Sequence, residues 1–126
     1  MGLPTTFEKI LEEELRLGCK IPEIIRAIIV KNNGGAECFA GDERDEFWVL
    51  FSVKDTRTRK HTSRSANHIE RETQSAKTWS NFPDRAIVLG ENGSGDYLVA
   101  LKGSELIYIW RHDSNEISET SITIIT

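Results

Sequence analysis

The chain has 126 residues, of which 38% are hydrophobic and 29% charged, with three tryptophans and two cysteines. That length suits one domain able to bury a core without disulfide or metal staples, and the composition is that of a soluble globular protein. The net charge of −4 speaks against a nucleic-acid binder, whose footprint is a basic face, and no apolar run approaches the ~20 residues of a membrane-spanning helix.

The N-terminal MGLPTTFEK lacks a basic segment followed by an apolar core, so no secretory signal is visible. Cys19 and Cys38 are then most simply reduced thiols, and a cytoplasmic location is expected. The first element is a helix over about Phe7 to Leu17. Thr5 and Glu8 form a capping box before it, and Phe7, Ile10, Leu11 and Leu15 share a face. Glu12, Glu13 and Glu14 read as its solvated side, and Gly18 is placed to end it. A second helix starts at Pro22, whose missing donor costs nothing in the first helical position. Its stripe of Ile24, Ile25, Ile28 and Ile29 stops at Asn33-Gly34-Gly35.

Two strands follow, Glu37 to Ala40 and Phe47 to Val53. The second is apolar on both faces and so reads as covered on both, at least in part. Lys54 to Arg64 has no apolar residue, carries five basic residues against one acid, and reads as a mobile loop. Asn67 with Glu70 repeats the capping-box signal before a helix through about Trp79, with Ile69, Thr73 and Ala76 inward. Phe82-Pro83 leads into strands at Arg85 to Leu89, Tyr97 to Lys102 and Glu105 to Arg111, and Ser118 to Ile125 alternates as a final strand. The order ααββαββββ predicts an α+β fold: a single domain over residues 1–126, with a largely antiparallel sheet of about six strands and about three helices.

Few constellations survive as chemistry. GENGSGD (90–96) has the glycine spacing of a phosphate loop, but Asp96 and Tyr97 stand where Lys and Ser or Thr are needed, and a strand follows in place of a helix. His61, His68 and His112 lack the close pairing of zinc ligands. Cys19, His61 and Asp55 have no local signature of a thiol catalyst. No catalytic, cofactor or metal residue is therefore assigned. Trp48, Trp79 and Trp110 read as core or core edge, Trp110 half buried. Glu37 to Glu46 holds five acids against Arg44, a solvated turn or a partner-facing patch. As a partner surface it assigns Glu37, Asp42, Glu43, Asp45 and Glu46. The strand face around Tyr108 and Trp110 is the alternative.

Taken together, the acidic first helix, Ile21-Pro22 opening an apolar helix, Asn33-Gly34-Gly35, Phe82-Pro83, AIVLGENGSGDYLVAL with its Gly95-Asp96 pair, and IYIWRHD from Ile107 to Asp113 resemble the SUKH superfamily, also called the SMI1/KNR4 family. Ile21 stands where that family more often has Leu. The resemblance implies an α+β binding module without catalytic residues or cofactor, most often a bacterial immunity protein. Such a protein neutralises a cognate toxin domain, frequently a nuclease, used in competition between cells. A regulatory scaffold of the fungal SMI1/KNR4 type is the alternative. The expected partner is a protein, with neither nucleic acid nor membrane. Gly34, Gly35, Gly95 and Asp96 are implied as residues that define the fold.

Overall fold

The computed structural model describes residues 2–41, 46–79 and 81–125. Within them the elements are α1 (Phe7–Leu17), α2 (Glu23–Lys31), β1 (Glu37–Ala40), β2 (Phe47–Leu50), α3 (Arg59–Arg64), α4 (Ile69–Ala76), β3 (Ala86–Glu91), β4 (Tyr97–Leu101), β5 (Ile107–Trp110), β6 (Ile117–Thr120) and β7 (Ile122–Ile124). This is the expected α+β architecture with one more helix and one more strand.

The strands form one sheet in the order β6-β5-β4-β3-β2-β1-β7, with each neighbouring pair antiparallel. β6 and β7 stand at opposite ends of that order, yet only Ser121 separates them in the chain. The sheet must therefore wrap until its two edges meet. The Gly41 amide donates to the Thr120 hydroxyl where they do, at 3.1 Å. The final strand expected over Ser118–Ile125 is thus two strands, split where the chain crosses from one edge to the other.

One face of the sheet is buried across its width. Register places Cys38 opposite Trp48, Leu50 opposite Gly90, and Leu98 opposite both Gly90 and Ile109. All the non-glycine members of these rows are core residues. The β3–β4 register shifts between Val88 and Gly90. A Cβ on Gly90 would stand 2.7 Å from the Val49 carbonyl oxygen, so close backbone approach requires glycine there. On the opposite face, Val88 and Trp110 lie beneath α4 and Phe82, whose ring meets Trp110 edge-on at 5.2 Å. Trp110 is fully buried, not half buried. Toward β1 and β2 that same face opens to solvent, with Glu37 and Phe47 exposed and Phe39 and Val49 half-buried.

The helices depart most from expectation. α1 has the expected bounds, but Thr6 caps it by accepting the Lys9 amide. Thr5 is buried and donates to the Asp55 carboxylate at 2.8 Å, so no Thr5–Glu8 capping box forms. More consequentially, α1 buries Ile10, Glu13 and Glu14 and leaves Phe7 52%, Leu11 44% and Leu15 83% exposed. Glu13 and Glu14, expected in solvent, face the interior. The cause is polar: Glu14 accepts the Ile21 amide, and Glu13 accepts several donors described below. At 3.6 residues per turn, Ile10, Glu13, Glu14 and Leu17 form one stripe, and Phe7, Leu11 and Leu15 form another about 100° around the helix.

Pro22 is the cap residue before α2 rather than its first residue, so the helix begins one position later than expected, at Glu23. Ile25 and Ile29 are buried, Ile28 is half-buried and Ile24 is exposed. β2 ends at Leu50 rather than Val53, because the Asn33 side chain takes both the amide and carbonyl of Val53. The basic stretch is not a structureless loop. Thr58 caps α3 within it, and the Ser65 hydroxyl ties the stretch back to the Asp55 backbone. His68, not Asn67, caps α4, which ends at Ala76 rather than Trp79 and turns Ile69, Thr73 and Ala76 inward as expected.

Candidate functional site

Of the five acids assigned to a partner surface, Asp42, Glu43 and Asp45 lie outside the described residues. Glu37 is exposed on β1. Glu46, at the start of β2, forms a two-pronged ion pair with Arg111 at 2.7 and 2.9 Å. Arg111 also reaches Asp96 at 3.1 Å, and Asp96 accepts the amide and Nδ1 of His112. Burial opposes ionisation of Asp96, but the His112 hydrogen bonds, with Asn92 and Arg111, outweigh it and lower its pKa. The end of the acidic segment is thereby fastened to the end of β5.

Beyond that fastening, the open sheet face has a simple pattern. Glu37, Val49 and Glu91 are cross-strand neighbours on three adjacent strands. In the next row Phe39 opposes Phe47, their rings meeting edge-on at 6.4 Å. Glu37 and Glu91 form no ion pair among the described residues. Val49 and Glu91 also line a cleft of about 350 Å³ with Gly34, Gly35, Ser52 and Arg64. The sequence pattern of β2, apolar on both faces, carried the signal for Phe47 and Val49. Glu91 was not foreseen, because only the β2–β3 register brings it beside Val49.

The alternative strand face around Tyr108 and Trp110 is less available. Trp110 is buried, and Tyr108 is half-buried with its hydroxyl 3.1 Å from that of Ser104.

Glu13 forms a second polar centre, fully inside the protein. It accepts the Lys54 amide, the Glu70 amide at the start of α4 and Arg16 at 2.6 Å, and pairs with His68 Nδ1 at 2.8 Å. Burial alone would raise its pKa; the His68 hydrogen bond and the two amides prevail and lower it to about 2. Asp55, likewise buried, is held well below the usual carboxylate range chiefly by Arg57.

Two groups bring ligand-type atoms close together: Glu13, His68 and Glu70, and Asp96, His112 and Asp113. Each already contains a guanidinium: Arg16 bonds Glu13 and Glu70, and Arg111 bonds Asp96. A fixed cation in contact with the ligand oxygens opposes a metal ion there. These are hydrogen-bond knots that join elements. His61 pairs with Thr58 on α3, so the three histidines serve three separate places. Cys19, His61 and Asp55 also bond separate partners, and no thiol catalyst is assembled from them. Burial pushes the Cys38 thiol up to about 11, an unreactive state. In GENGSGD, Asn92 Oδ1 accepts the Ser94 and Asp96 amides, and β4 follows directly. Beyond Glu91, where β3 ends, the segment is a turn, with positive φ at Gly93 and Gly95.

Among the described residues no helix is long and apolar enough to cross a membrane. Residues 4–123 match the family model of the SMI1 / KNR4 family (SUKH-1). No curated protein and no solved structure gives a match.

Proposed function

The chain belongs to the SMI1 / KNR4 family (SUKH-1), a family of immunity-protein type, and we propose that it binds and neutralises a cognate toxin domain. The observation that carries this reading, beyond family membership, is the open sheet face. It presents Phe39, Phe47 and Val49 beside Glu37 and Glu91. Aromatic anchors supply affinity at the centre of an interface, and carboxylates beside them that form no ion pair among the described residues favour a basic target. A nuclease toxin presents such a target, since its own substrate is an anion. Occupying that basic surface blocks the substrate without any chemistry by this chain.

Asp42, Glu43, Asp45 and Glu46 are assigned with Glu37 to the partner surface by their charge, and Glu46 is held by Arg111. Charge here acts chiefly on association rate. The protein does this work in the cytoplasm, where its thiols stay reduced.

Co-expression with the toxin domain encoded beside this chain tests the reading. The two should purify together, and the chain should protect cells from that toxin. A folded chain that neither retains the toxin domain nor protects would refute it and favour the regulatory alternative.

A further inference from the structure

The sheet face leaves a second exposed apolar surface unexplained. Phe7, Leu11 and Leu15 line the outer side of α1 at four-residue spacing, and Ile24 of α2 is exposed as well. Inverting α1, so that two glutamates face inward and three large apolar residues outward, is costly for a helix that meets only water. The stripe is a ridge between hollows. One groove runs along Leu11, Leu15, Gly18 and Lys20, and another along Phe7, Arg26 and Val30. Gly18 adds no side chain to fill the first, and a Cβ there would find only the Lys102 ammonium, at 3.9 Å.

The charges beside the ridge differ by flank. Glu8 and Glu12 follow the stripe on one side of α1, by the helical step of roughly 100° per residue. The side toward α2 carries Lys20 and Arg26, together with Glu23. Arg26 forms no ion pair among the described residues. Its guanidinium lies over the Phe7 ring at 5.9 Å, and its Nε is buried without a hydrogen-bond partner. Glu8 also forms no ion pair among the described residues. A cation and an acid that form no ion pair among the described residues, on opposite sides of one apolar ridge, suit a contact of this surface with itself.

We infer that the α1–α2 face joins two copies of this chain around a two-fold axis running along α1. A two-fold contact sets a patch against its own copy. With the axis along the helix, the Glu8 flank of one copy meets the Arg26 flank of the other, and ridge fits groove. An axis across the helix would set acid against acid. The partner is therefore a second copy of this chain, independent of any toxin on the sheet face.

Light scattering after size-exclusion chromatography, over a dilution series of the full chain, tests this. The wild type should show twice the mass of one chain, dissociating on dilution. Leu15→Glu should show a single-chain mass with an unchanged circular-dichroism spectrum, since Leu15 is almost wholly solvated; the dissociation constant should rise roughly 100-fold or more. Glu8→Arg and Arg26→Glu should each weaken the pair, and combining them should restore it. A wild type that stays single at high concentration would overturn the proposal. So would a pair that survives Leu15→Glu and Leu11→Glu unchanged. A single-chain wild type whose Leu15→Glu variant loses the toxin domain would overturn it too, and give this face to the toxin.

Discussion

The helical face and the sheet face both leave large apolar side chains in water, and they differ in what surrounds them. Around Phe7, Leu11 and Leu15 stand charges of both signs, Glu8 on one side and Arg26 on the other. Beside Phe39, Phe47 and Val49 stand Glu37 and Glu91. The two acids among the strands favour a basic partner, although Arg64 lines the same cleft as Glu91, whereas the helical face carries both signs on opposite flanks and can satisfy itself. Apolar exposure is the ground on which both faces are proposed as interaction surfaces, and the arrangement of charge is the ground for giving them different partners. The faces also rest on different supports. The sheet face is fixed by strand register, while the helical face depends on the roll of α1, held by buried carboxylates.

That dependence is the first place to break the comparison. Glu13→Ala removes the acceptor shared by Arg16, His68 and the Lys54 and Glu70 amides, leaving Arg16 only its Glu70 partner and the two amides without this acceptor. Disrupting a buried charged centre costs about 3–5 kcal/mol. A urea titration should show a loss of that size, larger than for any single change on the sheet face. Ile10→Ala, on the inward stripe of the same helix, should cost about 2–5 kcal/mol. Leu15→Ala on the outward stripe should stay within about 0.5 kcal/mol when measured at a dilution where the chain is single. Equal costs for these two would mean that α1 is not rolled as described.

Acid sharpens the same point. Glu13 has a folded-state pKa of about 2 against an ordinary value of 4.5. Its stabilisation is therefore fully present above pH 4.5 and is lost as pH falls toward 2. The difference corresponds to about 3 kcal/mol. Asp55, lowered as well, acts in the same direction. Urea midpoints measured from pH 6 down to pH 3 should fall steeply, and Glu13→Gln should flatten that slope. The smallest effect on folding belongs to the sheet face. Glu37→Lys with Glu91→Lys should change stability by less than about 0.5 kcal/mol. Surface-plasmon measurements should show slower association with the toxin domain and a weaker salt dependence.

Much of the scaffold was legible in the sequence. The bounds of α1 and β1, the end of α2 at Asn33-Gly34-Gly35, and the inward Ile69, Thr73 and Ala76 follow from local pattern and punctuation. What failed were features decided by distant partners. Hydrophobic spacing put Phe7, Leu11 and Leu15 inward, because nothing local reveals that Glu13 receives the start of α4. The basic stretch gained α3 because Thr58 caps it and Ser65 holds Asp55. The last strand broke at Ser121 because the sheet wraps. The sheet face was half visible: Glu37 and Glu46 were singled out, but register alone adds Glu91, and the Arg111 pairing of Glu46 spans 65 positions in the chain.

The claim that two faces serve two partners is tested most directly by exchanging damage between them. Phe47→Asp and Leu15→Glu, each checked for folding, are measured for affinity to the toxin domain by calorimetry and for self-association by light scattering. The account predicts a crossed result. Phe47→Asp should lose the toxin domain and keep the paired mass, while Leu15→Glu should lose the paired mass and keep the toxin domain. If Leu15→Glu abolishes toxin binding while Phe47→Asp leaves it unchanged, the assignment of the two faces is contradicted.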